Sequence, residues 1–136
     1  MPPVKLAALD VGQARIGLAV GERGRPFAFG RGHLAADDWA GLLRFLEAEE
    51  VERVVLGLPL RTQGVEGPEA KRVRALGEKL RAAGFDVVYE DERFTTQLAA
   101  QRLKQRGKKK RREKGRLDEE SAILILESYL ERNLAP

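Results

Sequence analysis

The sequence predicts a single α/β domain in which a mixed five-stranded sheet carries helices on both faces. Three short segments rich in branched apolar residues come first, and strand and helix patterns alternate after them. A chain of 136 residues is the size of one ordinary domain. No apolar run approaches the roughly 20 residues that a membrane span needs, and the N-terminus lacks the pattern of a signal peptide. We therefore expect one domain over residues 1–136, located in the cytoplasm.

The first half of the chain predicts three antiparallel strands and a helix. Residues 4–11 form an apolar run that a turn at Gly12 closes, residues 15–21 form a second run, and residues 26–34 form a weaker third. Asp37 or Asp38 can cap a helix over about 38–49, in which apolar residues recur at spacings of three and four.

The second half predicts two parallel strands and three more helices. The apolar run Arg53–Leu58 is typical of a strand covered on both faces. A helix beginning at Pro68 and ending at Gly84 separates it from a strand over residues 86–89.

The last two predicted helices lie on either side of a basic stretch. The first starts at Thr95 or Thr96 and ends near Gly107. The second is opened by Asp118 and covers the apolar residues 122–130, which we expect to be buried.

Composition restricts the chemistry to carboxylates. The chain has no cysteine and one histidine, His33, which excludes a zinc site built from these residues. Its only serines, Ser121 and Ser128, lie within the apolar C-terminal run, far from that histidine in sequence. Hard cations such as Mg²⁺ prefer the oxygen ligands that remain.

Three acidic positions are candidates for such a site. Asp10 ends the first strand, a group of three acids that ends at Glu92 follows the last one, and Asp118 precedes the final helix. Each has an ordinary interpretation: a turn residue, a strand end facing water, and a helix N-cap. Together they would repel one another unless a cation were present, and two Mg²⁺ ions could activate water and stabilise the leaving oxygen at a phosphodiester.

Positive charge is concentrated before the final helix. Between residues 101 and 116 there are ten basic residues and one acidic residue, so this stretch carries +9 while the rest of the chain sums to −5. Such a strip suits contact with a phosphate backbone, although a solvated loop is an alternative. We expect a flexible segment over about 105–116. Its candidate contacts to nucleic acid are Lys108, Lys109, Lys110, Arg111 and Arg112.

The whole chain resembles the YqgF family, also called RuvX, of Holliday-junction-resolvase-like proteins in the ribonuclease H-like superfamily. Four stretches carry the resemblance: LDVGQARIGLAV at 9–20, VVLGLPL at 54–60 with the loop TQGVEGPEA after it, DERFTT at 91–96, and Leu117-Asp118 before an apolar helix. Phe94 stands where the family usually has Leu, and Ser121 where it usually has Ala.

The resemblance implies a ribonuclease H-like fold and a catalytic trio, Asp10, Glu92 and Asp118, that binds Mg²⁺ or Mn²⁺. It implies a nuclease that matures the 5′ end of the small-subunit ribosomal RNA precursor, with Holliday-junction cleavage as the rival activity. Arg15 is a candidate contact to a substrate phosphate or a partner for a buried acid. Arg93 can partly neutralise the acidic group and is a further candidate substrate contact.

Other interpretations remain open or are disfavoured. A phosphate loop of the actin-like ATPase kind needs a second lobe, for which this chain has no room. The stretch Gly30-Arg31-Gly32-His33-Leu34-Ala35 fits a dinucleotide-binding fingerprint, but Glu52, the acid near the right spacing, precedes its strand, so we regard the match as coincidental. A non-catalytic RNA-binding assembly protein with the same fold is the serious rival. A homodimer would suit a symmetric junction.

Overall fold

The computed structural model describes residues 3–60, 64–92 and 114–134, with the side chains of the last helix from Leu117 onward. Within these residues the chain forms five strands and three helices. In chain order they are β1 (Lys5–Val11), β2 (Arg15–Glu22), β3 (Ala28–Ala35), α1 (Trp39–Ala48), β4 (Arg53–Leu58), α2 (Pro68–Ala82), β5 (Asp86–Asp91) and α3 (Lys114–Arg132).

The five strands form one sheet in the order β3-β2-β1-β4-β5. The first three strands pair antiparallel, whereas β4 pairs parallel with both β1 and β5. This arrangement confirms the predicted mixed sheet. It also brings the carboxyl ends of β1, β4 and β5 to the same edge.

Helices cover both faces of the sheet, as predicted. Side chains alternate between the two faces along each strand, so each face contributes to a separate core. On one face, Leu9 and Leu56 pack with α1 and α2 in the larger core. On the other face, Ala8 and Val55 pack against α3. The residues of α3 that are buried in this second core are Ala122, Ile125, Leu126 and Leu130.

Local chemistry explains where α1 and α2, the helices of the larger core, begin. The Asp38 carboxylate accepts a hydrogen bond from the Gly41 backbone N–H at 2.9 Å, which confirms one of the two predicted N-caps. Pro68 is the first residue of α2, where its missing N–H costs nothing. After α2 the chain turns at Gly84, whose φ of 100° suits a residue without a side chain.

Two predicted boundaries near the acidic residues are wrong. β5 continues to Asp91, so Glu90 lies inside the strand. α3 starts at Lys114, so residues 114–116 of the predicted basic segment are helical and Asp118 lies inside the helix instead of capping it. The helix includes four residues before Asp118, in part of the basic stretch for which the charge pattern predicted a flexible segment. The helix predicted from Thr95 or Thr96 lies outside the described residues.

None of the helices in the described part of the chain is long and apolar enough to cross a membrane.

Candidate active site

Asp10 lies at the end of β1, on the face of the sheet that α3 covers. Leu6 and Ala8 pack against α3, and Asp10 is the next residue on that face. Its neighbours in the two adjacent strands are glycines. Gly17 of β2 is its direct partner, and Gly57 of β4 follows the Leu9–Leu56 pair by one residue. The missing side chains leave room on both sides of the Asp10 carboxylate.

Glu92 occupies the space above Gly57. It follows β5 directly, and its backbone N–H donates to the carbonyl of Leu58 at 3.1 Å. A methyl group at Gly57 would overlap Oε1 of Glu92 and would lie 2.5 Å from Cδ1 of Ile125. β4 lies between β1 and β5. Glu92 reaches Asp10 across β4 because Gly57 carries no side chain.

Asp118 occupies the space above Gly17. A methyl group at Gly17 would overlap the carbonyl group of Asp118, so the α3 backbone lies directly on β2 at this point. Since Gly17 pairs with Asp10, this close approach brings the first part of α3 next to the end of β1. The structure thus brings all three predicted acids to one place on the sheet.

Asp10 and Glu92 are joined by a hydrogen bond between their side chains. Burial, and after it the nearby Asp10 charge, the hydrogen bond with Asp10 and the Asp91 charge, together raise the pKa of Glu92 to about 8. Burial also raises the pKa of Asp10, whose bond from Glu92 opposes that effect while the Asp118 charge adds to it. Both shifts favour the protonated form, so the pair holds a proton to a higher pH than two separate carboxyl groups would.

Asp118 is held by Arg15. The Nε of Arg15 donates to Oδ2 of Asp118 at 2.8 Å, and both side chains are partly buried. The structure therefore places Arg15 as the partner of an acid, one of its two predicted roles. Among the described residues, no group of three or more acidic or histidine side chains is arranged closely enough to hold a metal ion.

The chemistry of these side chains nevertheless fits a hard divalent cation. A divalent cation could compensate the charge of the partly buried Asp10 and Glu92 carboxylates more fully than a proton does. All the donor atoms of these side chains are oxygens, which such cations prefer. Asp118 is near enough to Asp10 for its charge to raise the pKa of that residue. The assignment of the trio to metal binding and catalysis stays a prediction.

Glu90 has a different role from Glu92, although both belong to the predicted acidic group. It is 1% exposed, accepts a hydrogen bond from Ser128 at 2.8 Å, and pairs with Arg132. These contacts fasten the end of α3 to β5. Glu90 and Glu92, two residues apart, face the same helix, and they differ in which part of it they contact.

Sequence reasoning missed the two glycines that make room for the acids. Gly57 interrupts an otherwise apolar strand, which is a recognised sign of close approach by another group. The predicted substrate contacts Arg93, Lys108, Lys109, Lys110, Arg111 and Arg112 lie outside the described residues.

The sheet order, with acids at the ends of β1 and β5 and on the helix that packs across them, defines a ribonuclease H-like protein with an acidic site. The model of the RuvX family, described as a Holliday junction resolvase, matches residues 4–132. The chain is 50% identical to a Thermus thermophilus protein named "Putative pre-16S rRNA nuclease", over 96% of this chain and all of that protein. It is 46% identical to the Deinococcus radiodurans protein named Ribonuclease YqgF, over 92% of this chain and 86% of the relative. The chain belongs to the RuvX family, as the sequence motifs predicted.

Proposed function

We propose that this protein is a nuclease that hydrolyses phosphodiester bonds in the precursor of the small-subunit ribosomal RNA, in the cytoplasm and with Mg²⁺ or Mn²⁺. The observation that carries the proposal is the hydrogen-bonded pair of Asp10 and Glu92, held together above Gly57 with Asp118 nearby. A structural role explains such a pair poorly, because the burial of two adjacent carboxylates costs stability.

Asp10, Glu92 and Asp118 would hold the cation. When bound, the cation supplies a means of activating water and of stabilising the leaving oxygen of the phosphodiester. Glu92 must give up its proton before its carboxylate can act as a ligand. The hydrogen bond from Arg15 orients the Asp118 carboxylate.

The substrate is proposed from the relatives and from charge. The Thermus thermophilus relative is named for pre-16S rRNA, and it matches nearly the full length of this chain. The basic residues Arg93 and Lys108 to Arg112 would contact the phosphate backbone, which positions a nucleic acid without reading its sequence.

Cleavage of a four-way DNA junction is the second candidate function, because the matching family model is described as a Holliday junction resolvase. Such a junction is symmetric, so this activity would call for two copies of the chain acting together.

The test is incubation of the purified protein with Mg²⁺ and two substrates, a precursor rRNA transcript and a four-way DNA junction. We expect a cut at a defined position in the RNA that a chelator abolishes. A defined cut in the junction alone would favour the second candidate. Binding of RNA without cleavage in either Mg²⁺ or Mn²⁺ would contradict the proposal and favour a non-catalytic assembly protein.

A further inference from the structure

The side chain of Glu119 reaches across the sheet to the edge strand β3. Its Oε2 accepts a hydrogen bond from the backbone N–H of Gly32 at 2.6 Å. A methyl group added at Gly30 would lie only 2.5 Å from Cδ of Glu119. The carboxylate therefore packs directly on the backbone of β3. Both glycines belong to the stretch that mimics a dinucleotide fingerprint, and their contact with Glu119 gives that stretch a different role.

A bulge in β3 makes the Gly32 N–H available. Gly17 pairs with His33 and Ala19 pairs with Gly30, so two residues of β3 lie opposite the single residue between them on β2. Gly32, one of the two, has a φ of 78°. An N–H group at a bulge is displaced from the regular ladder, and a carboxylate is a strong acceptor for it.

Glu119 and Asp118 are adjacent in α3, so fixing one restricts the other. The Asp118 backbone rests on Gly17 of β2, and Glu119 is bound to the neighbouring strand β3. Two successive residues of the helix are thereby attached to two adjacent strands. Movement of the first turns of α3 along the sheet would break the Gly32 bond.

We propose that Glu119 is a positioning residue whose hydrogen bond to Gly32 holds the Asp118 carboxylate beside Asp10. This inference rests on the proposed function, in which Asp118 belongs to the active site. Glu119 itself touches neither substrate nor reacting atoms in this proposal. Its effect on the reaction passes through the placement of Asp118.

Three variants separate positioning from general stability. Glu119→Ala removes the bond to Gly32. Glu119→Gln keeps an oxygen that can accept it. Ser128→Ala is the matched control, since it removes the hydrogen bond from Ser128 to Glu90 and weakens the attachment of α3 at its other end.

The variants are compared by thermal unfolding, by kcat and KM for the substrate that the wild-type protein cuts, and by Mn²⁺ affinity. Because partners that orient metal ligands matter by 10- to 100-fold, Glu119→Ala should lower kcat and Mn²⁺ affinity by about 10-fold or more, with KM little changed. Glu119→Gln should recover most of both losses. Ser128→Ala should lower the unfolding temperature while leaving kcat close to the wild-type value.

A loss of kcat in Glu119→Ala no larger than in Ser128→Ala would overturn the proposal, and so would failure of Glu119→Gln to restore activity. The backbone amide NMR signals of Asp10 and Gly17, which are distant from Glu119 in sequence, provide a readout that does not depend on cleavage. They should shift in Glu119→Ala and stay in place in Ser128→Ala. If the wild-type protein cuts neither substrate, the proposed function fails, and unchanged amide signals in Glu119→Ala would separately reject the positioning role.

Discussion

Asp10 and Glu92 share a hydrogen bond although the strands that carry them are separated by β4. The bond passes above Gly57, where β4 has no side chain to block it. The same face of the sheet is open on the other side of Asp10, where Gly17 accommodates the backbone of Asp118. The acidic site thus depends on two missing side chains as much as on three carboxylates.

Gly57→Ala should separate Glu92 from Asp10. The added methyl group would overlap Glu92 and crowd Ile125, and overpacking of this kind typically costs about 1–3 kcal/mol in the free energy of unfolding. Cleavage should fall far more than this loss of stability explains. Urea unfolding and cleavage rates measure the two effects. Leu46→Ala, in the core on the other face, is the control that should lose stability and keep its activity below the unfolding temperature.

Asp10→Asn should abolish Mg²⁺-dependent cleavage while leaving the binding of nucleic acid intact. A neutral amide binds a divalent cation less strongly than a carboxylate does, and it cannot supply the Asp10 charge. Loss of a ligand should cost more than the roughly 100-fold that loss of a ligand's hydrogen-bonding partner can cost. Single-turnover cleavage and a filter-binding assay measure the two properties. A cleavage rate equal to that of the wild type would remove Asp10 from the proposed trio.

The metal-free protein should lose stability as the pH rises from about 4.5 to 8. The folded state holds a proton on Glu92 up to about pH 8, whereas the unfolded chain releases it near 4.5. The stabilising contribution is therefore complete below 4.5 and is lost as the pH rises through the folded pKa. One proton gives a slope of at most about 1.4 kcal/mol per pH unit.

Denaturant unfolding across this pH range, with and without Mg²⁺, measures that slope. Glu92→Gln should flatten it, because the amide does not titrate. Saturating Mg²⁺ should oppose it, because the bound ion requires ionised carboxylates. Stability of the metal-free wild type that increases between pH 5 and 8 would contradict the proton held by the pair.

Arg15 and Asp118 should be energetically coupled. Their hydrogen bond joins two partly buried groups, for which a coupling free energy of about 1 kcal/mol is ordinary. A double-mutant cycle with Arg15→Ala and Asp118→Asn, followed by denaturant unfolding, measures it. Additive losses would mean that the contact contributes nothing to stability. Arg15 would then be better explained as a contact to substrate phosphate.

Charge reversal of Lys108 to Arg112 should weaken nucleic-acid binding and reduce its dependence on salt. Each lost contact with a phosphate lowers the slope of log affinity against log salt concentration by about 1. Fluorescence anisotropy at several salt concentrations measures both quantities. Reversal of Lys109 and Arg111 alone, compared with reversal of the exposed basic residues Arg23 and Arg25 in the turn after β2, controls for total charge. Equal effects of the two sets would argue against a specific basic strip.

Most of the fold could be predicted from the sequence because each strand has its own local pattern. The run Arg53–Leu58 was predicted with the bounds that the structure gives. The start of α3 was wrong because an aspartate before an apolar run is typical of a cap, whereas the basic residues just before it, which show no apolar pattern, are helical as well. Local pattern gave no sign of that earlier start.

The candidate site was predicted only in part, because its contacts join residues that are distant in sequence. The three acids could be named from strand ends and family motifs, and the structure brings them together. The bond from Arg15 to Asp118 and the bond from Gly32 to Glu119 could not be named, since nothing near Arg15 or Gly32 in the sequence indicates the final helix.

The position of α3 in chain order has a consequence for synthesis of the protein. During translation, β1 to β5 leave the ribosome before the helix that carries Asp118, so a nascent chain has two of the three acids and no third. The apolar sheet residues that α3 covers also remain without that helix until it is synthesised; they are Leu6, Ala8, Ala19 and Val55. Completion of the candidate site and burial of this surface therefore depend on the same helix.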